Sequence, residues 1–358
     1  MAVNFDPERW QRIKKDADLW WQGELGRPLI QFTVRNSLPN RPEPSVPRQN
    51  FHCFYDHSVS AEAIIDRCDW DISRQTFLGD AFPSAFFNFG PGVVAALLGG
   101  KLEPGMETVW FGPAEERPID DIKWGYDPDN YWLNRIKSLK QVAIDRWGGQ
   151  VLVSMTDLGG NMDLLASFRP GIQLLLDLTD NPEGVKVATW MAHDFWWRYW
   201  DEFNNLLQPT NPGYSAWTSI FSSDPYYMLQ CDFCYMISPD MFDEFVKPEL
   251  EATCRKLTNP FYHLDGPGEL PHLDSLLSIK ELKGIQWIPG DGAPKSKLWP
   301  EVYRKIRDAG KLIQLFGDVE TLDTVVDQLG GAENIVLIGS ERDEDRAIDC
   351  LKRYGVPV

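Results

Sequence analysis

The chain has 358 residues, 43% hydrophobic and 25% charged, an ordinary globular composition that excludes a disordered chain. Its net charge of −18 and the lack of any basic cluster interleaved with aromatics speak against nucleic acid as a partner, because phosphate binding needs a basic surface. Apolar runs such as Val93 to Leu98 are too short to span a bilayer, and Met1-Ala2-Val3-Asn4-Phe5-Asp6-Pro7 is no signal peptide, so no membrane association is expected and a cytoplasmic location is.

Residues 1–27 read as a helical lead-in, with Trp10, Ile13, Ala17, Trp20 and Trp21 near helical spacing. From Pro28 onward β-rich runs begin, the first being Leu29 to Val34. Residues 36–58 are rich in Pro and Asn and are expected as loop; 79–130, rich in Gly, Pro and aromatics, are expected to hold an insertion or lid. Strand-like runs follow at Val151–Met155, Tyr226–Gln230, Pro260–Leu264, Gly284–Ile288, Leu312–Phe316 and Asn334–Ile338. Amphipathic segments lie between them at 239–257, with Ser238 as N-cap before Pro239, and at 297–309, 319–329 and 343–354. Strands alternating with helices imply a parallel sheet, and six or more such units without a Gly-rich dinucleotide fingerprint point to an α/β protein, a (β/α)8 TIM-type barrel. With no linker in sight, residues 28–358 are expected to form one domain.

In such a barrel the site lies where the strands end. Those ends carry Asp157, Asp232, Asp265, Asp291, Asp318 and Glu341, a convergence that suggests a polar pocket, although Asp291 and Asp318 read equally as helix caps. The sharpest feature is Phe261-Tyr262-His263-Leu264-Asp265-Gly266-Pro267-Gly268. Residues i and i+2 of a strand share a face, so His263 and Asp265 point the same way and can share a metal or pair for acid–base work. Gly266 and Gly268 suggest close backbone approach to a ligand, and His272 is expected to be structural. Arg35 after the first strand, Asp80 in the aromatic-rich loop, Asn161, Trp287 and Arg342 are candidate substrate-binding residues. The 15 tryptophans, Trp190, Trp196, Trp197 and Trp200 among them, are mostly core, with a hint of an aromatic-lined pocket. Six cysteines without a secretory signal suggest reduced thiols, and Cys231-x-x-Cys234 alone is an incomplete zinc pattern.

The stretches Thr156-Asp157-Leu158-Gly159-Gly160-Asn161-Met162-Asp163-Leu164-Leu165, Asp232 to Phe242, Phe245-Val246-Lys247-Pro248, His263-Leu264-Asp265-Gly266 and Ile338-Gly339-Ser340 resemble the uroporphyrinogen decarboxylase superfamily. The resemblance implies a distorted (β/α)8 barrel. The decarboxylase's arginine-rich segment is reduced here to Arg35, while Asp80 is similar to the family's pyrrole-binding aspartate. An acidic mouth would repel a tetrapyrrole bearing many carboxylates, which speaks against uroporphyrinogen itself. Corrinoid-linked methyltransferases of the superfamily hold zinc through His-x-Cys and a late cysteine. Here the matching positions are His263-x-Asp265 and Ser340 or Glu341, so a divalent metal, zinc by resemblance, is expected on His263, Asp265 and Glu341 with Cys231 as a further ligand.

The expected function is therefore a methyltransferase-type activity, passing a methyl group from a small or methoxylated substrate to a corrinoid carried by a partner protein. The alternative is a carbon–carbon or glycoside bond-cleaving enzyme with Asp157, Asp232 and Asp265 as paired acid and base on an aromatic floor. A non-catalytic binding protein on the same scaffold is a third reading, and a homo-oligomer is compatible with all three.

Overall fold

Short runs rich in aromatic and branched residues become strands in the computed structural model, which describes residues 3–106 and 108–358. The strands are β1 (Leu29–Arg35), β2 (Gln75–Gly79), β3 (Ser84–Ala85), β4 (Lys101–Pro104), β5 (Val109–Gly112), β6 (Leu152–Val153), β7 (Tyr226–Leu229), β8 (Asn259–Asp265), β9 (Gly284–Ile288), β10 (Leu312–Gly317) and β11 (Ile335–Gly339). The main sheet runs β2-β1-β11-β10-β9-β8-β7, and every pairing in it is parallel except β1 with β2. The last strand thus pairs with the first. A separate parallel pair, β3 with β6, carries the two strands between. Among the described residues no ladder joins that pair to β1 or to β7, so the alternating α/β units expected from sequence are present while a hydrogen-bonded closed barrel is not.

The N-terminal helix Pro7–Trp21 is capped by Asp6, whose side chain accepts from the Glu8 N–H at 2.9 Å, and buries the five residues at helical spacing. Trp20 stacks on Phe261 with ring centres 6.5 Å apart, and the Trp21 indole N–H donates to the Phe221 carbonyl at 2.9 Å. This helix covers the N-terminal ends of β7 and β8. The segment expected as one helix over 239–257 is two, Pro239–Phe245 and Lys247–Lys256. Pro248 has no N–H to continue the first helix and instead sits in the opening turn of the second. No helix among the described residues is long and apolar enough to cross a membrane.

One strand of the main sheet was not foreseen. β2 runs against β1, with Gly79 opposite Gln31, so its C-terminal end lies beside the beginning of β1. Asp80, which follows it, is therefore on the opposite rim from the parallel strand ends. There it forms two hydrogen bonds with Arg27 (2.8 and 3.0 Å) and accepts from the Ile30 N–H at 2.9 Å. The region 79–130 does contain a hairpin, β4 with β5, and its Trp110 is 66% exposed.

Candidate metal centre

Alternation along β8 turns Phe261, His263 and Asp265 to one face and Tyr262 and Leu264 to the other. Asp232 opens the 3-10 helix Asp232–Met236 just after β7, the neighbouring strand. The three polar side chains meet: Asp232, His263 and Asp265 each offer a ligand atom, all within 4.8 Å of one another. Donors around a tetrahedral zinc about 2.1 Å away stand roughly 3.4 Å apart, so modest side-chain rotation would close the set.

The imidazole is aimed by a relay of amides. His263, Gln286 and Gln314 lie side by side on β8, β9 and β10. The Gln286 side chain donates through Nε2 to the Gln314 amide oxygen, which leaves Gln286 Oε1 to accept from His263 Nδ1. The proton thus sits on Nδ1 and the Nε2 lone pair is free for a metal or a proton. Trp217 packs edge-on to the ring at 4.9 Å.

Further carboxyls surround the three. Asp163 Oδ1 accepts from the Phe233 N–H at 2.7 Å and Oδ2 from the Asp232 N–H at 3.1 Å, fixing the turn that presents Asp232. Burial, with Asp232 adding to it, raises the Asp163 carboxyl well above the usual range. Asp232 itself is raised by removal from water, with His263 opposing and Asp265 reinforcing. Glu269 accepts from the Asp265 N–H at 3.1 Å, and burial pushes it up to about 9. Asp157 is buried behind Asp232, within 3.4 Å of the Tyr227 hydroxyl, and burial brings it to about 6.

These raised carboxyls hold protons in the folded chain that the unfolded chain, with values near 4, has already released. Their stabilising contribution is full below about pH 4 and is lost as pH rises, through about 6 for Asp157 and about 9 for Glu269. In protein stripped of metal with EDTA, the wild type is expected to lose urea resistance relative to Glu269→Gln between about pH 5 and about pH 9. Parallel pH profiles for the two proteins would show that Glu269 does not carry that proton.

A cavity of about 350 Å³ adjoins Asp232. Asp163 and Phe233 form one side, and Trp110 and Phe111 of the β4–β5 hairpin, with Met236, supply apolar walls.

Several expected site residues lie elsewhere. Glu341 is absent from the cluster; its Oε1 accepts from the Arg342 N–H (2.9 Å) at the end of β11, and Arg342 is exposed there. Cys231 is buried and its thiol is raised far above its ordinary value by burial and by Cys234, so it keeps its proton and does not join the set. Trp287 stands opposite Leu264, on the face away from His263, and packs on Trp299. Asn161 is buried and donates to Glu249 at 2.7 Å between helices. Asp80 is held by Arg27, as described. Arg35 lines a different cavity. Asp318 caps the helix Val319–Leu329. Gly268 is needed not by a ligand but by Tyr235, whose ring atoms a Cβ there would meet at 2.6 Å. His272 is structural, donating from Nε2 to the Cys234 carbonyl at 2.8 Å while its ring stacks on Phe242. Most tryptophans are core; Trp110 alone reaches the cavity beside Asp232.

No known protein family's sequence profile matches the chain, and no curated protein does. Seven solved chains match. One is described as a crystal structure analysis of macrophomate synthase, at 13% identity and a TM-score of 0.25, covering 62% of this chain and 69% of that one. A likeness at that TM-score supports no inference about this protein.

Proposed function

We propose that the protein is an enzyme that holds a divalent metal through Asp232, His263 and Asp265 and acts on a small substrate in the cavity beneath the β4–β5 hairpin. The strand order is read as an open (β/α)8-type scaffold with its site at the C-terminal strand ends. The observation that carries the reading is the meeting of these three side chains, which come from neighbouring strand ends, beside that cavity.

One imidazole and two carboxylates suit a zinc or harder divalent ion, and such an ion would supply Lewis acidity toward a substrate oxygen. The set contains no thiolate, so it favours a substrate presenting oxygen over one presenting sulfur. In line with the resemblance, the reaction proposed is methyl transfer from a methoxylated substrate to a corrinoid borne by a partner protein. In that reaction the Gln286 and Gln314 amides orient His263, Asp163 holds the Asp232 turn in place, and the aromatic walls exclude water. A second reading, carbon–carbon bond cleavage, is favoured by one observation: Asp157, brought to about 6 by burial and paired with Tyr227, is poised for proton transfer near neutrality.

Titration of Zn²⁺ and Mn²⁺ into EDTA-treated protein is expected to show one saturable site per chain, and no saturable uptake of either ion would end the metal reading. Metal-loaded protein given a methoxybenzoate and a cob(I)alamin-bearing acceptor is expected to release the phenol. If a carbonyl acid is cleaved instead and no phenol forms, the second reading stands.

A further inference from the structure

A separate cavity, of about 280 Å³, opens beside the C-terminal ends of β1 and β3 and the helix Ala61–Ser73. It shares no lining residue with the cavity beside Asp232. Arg35 and Arg48 stand exposed along it. Among the described residues neither forms an ion pair, although the chain carries 53 acidic residues from which partners could come. Arg67, in the same wall, shows the contrast: it is committed to Asp71 and Glu43. Two unpaired guanidiniums on one cavity repel each other and are relieved by an anion between them.

The floor supplies the second observation. His52 is only 8% exposed, with the Phe87 ring edge-on at 5.2 Å. Its Nε2 faces the Cys68 sulfur at 3.9 Å. Burial pushes that thiol up to about 12, so the sulfur keeps its proton and carries no charge. Burial likewise lowers the His52 imidazole to about 4, so the ring is neutral as well. The Asn88 carbonyl accepts from the His52 backbone N–H at 2.6 Å and also lies beside the ring. Neither floor group thus supplies an anion to relieve Arg35 and Arg48, and Asp71 in the same wall is committed to Arg67.

We propose that this cavity binds a small organic anion, its carboxylate or phosphate gripped by Arg35 and Arg48, its apolar body against Phe87, Ile72 and the edge of the neutral His52 ring. The site is distinct from the metal cluster and does not depend on it.

Isothermal titration of the full-length protein with benzoate, and separately with inorganic phosphate, tests the proposal. Saturable one-to-one binding of either probe is expected, and which of the two binds identifies the anionic group. Arg35→Ala and Arg48→Ala, both at exposed positions that folding tolerates, are each expected to weaken it about 10- to 100-fold. His263→Ala is expected to leave it unchanged. The proposal is overturned if neither probe binds saturably, if binding survives both arginine substitutions, or if His263→Ala abolishes it.

Discussion

His263→Ala is expected to lower affinity for a divalent ion at least about 100-fold and to remove turnover, read by metal titration and by product release. The size follows from comparison with more distant changes. Removing a group that only orients a metal ligand already costs about 10- to 100-fold in affinity or activity, and His263 is itself one of three ligands. Gln286→Ala should fall in that lower range, because it removes the acceptor for Nδ1–H and lets the ring choose the wrong tautomer. Asp265→Asn should resemble His263→Ala, since a neutral amide oxygen replaces an anionic one. A His263→Ala protein that binds Zn²⁺ as tightly as the wild type would mean that Asp232, His263 and Asp265 are close neighbours and nothing more.

That trio was partly legible in the sequence. The i, i+2 spacing of His263 and Asp265 on a strand fixes a shared face, and a strand-end position put Asp232 at the same rim. Glu341 and Cys231 failed for reasons no spacing reveals: one carboxylate turned back on its own backbone, and one thiol was buried against Cys234. Asp163 and Glu269 were missed because each works through a backbone N–H brought close only by the fold. A signal for the amide relay did exist. Gly284-Ile285-Gln286-Trp287 and Leu312-Ile313-Gln314-Leu315 each place one glutamine inside an apolar strand, and both glutamines are fully buried. A polar side chain there must find a partner, which makes it a pointer to a network. The strands of the second half were legible because each is an apolar run bounded by turn residues and set between amphipathic helical segments, although the helix expected over 239–257 is two. β2 was missed because Gln75-Thr76-Phe77-Leu78-Gly79 opens on two polar residues directly after a helix, and only tertiary pairing sets its direction.

Asp80→Ala is expected to destabilise the protein by about 3–5 kcal/mol, measured by urea unfolding, without altering metal affinity. Asp80 is 2% exposed and Arg27 12%, so removing the carboxylate leaves a guanidinium with only Asp16 as ion-pair partner, beside the Pro28 carbonyl, and takes the acceptor from the Ile30 N–H. The paired substitution Arg27→Met with Asp80→Leu should recover much of the loss, because desolvating two charges offsets most of what their attraction returns. Were Asp80 a substrate ligand, its removal would instead change KM and leave the unfolding midpoint in place.

The tryptophan helix at the start of the chain also sets an order of events on the ribosome. Trp20 and Trp21 leave the exit tunnel well before Phe261, on which they come to rest about 240 residues downstream. At roughly 5–20 residues per second, two large indoles wait about 12 to 48 seconds before their seat has been synthesised. During that interval they lack their native cover, and a chaperone that binds uncovered apolar segments would find one there.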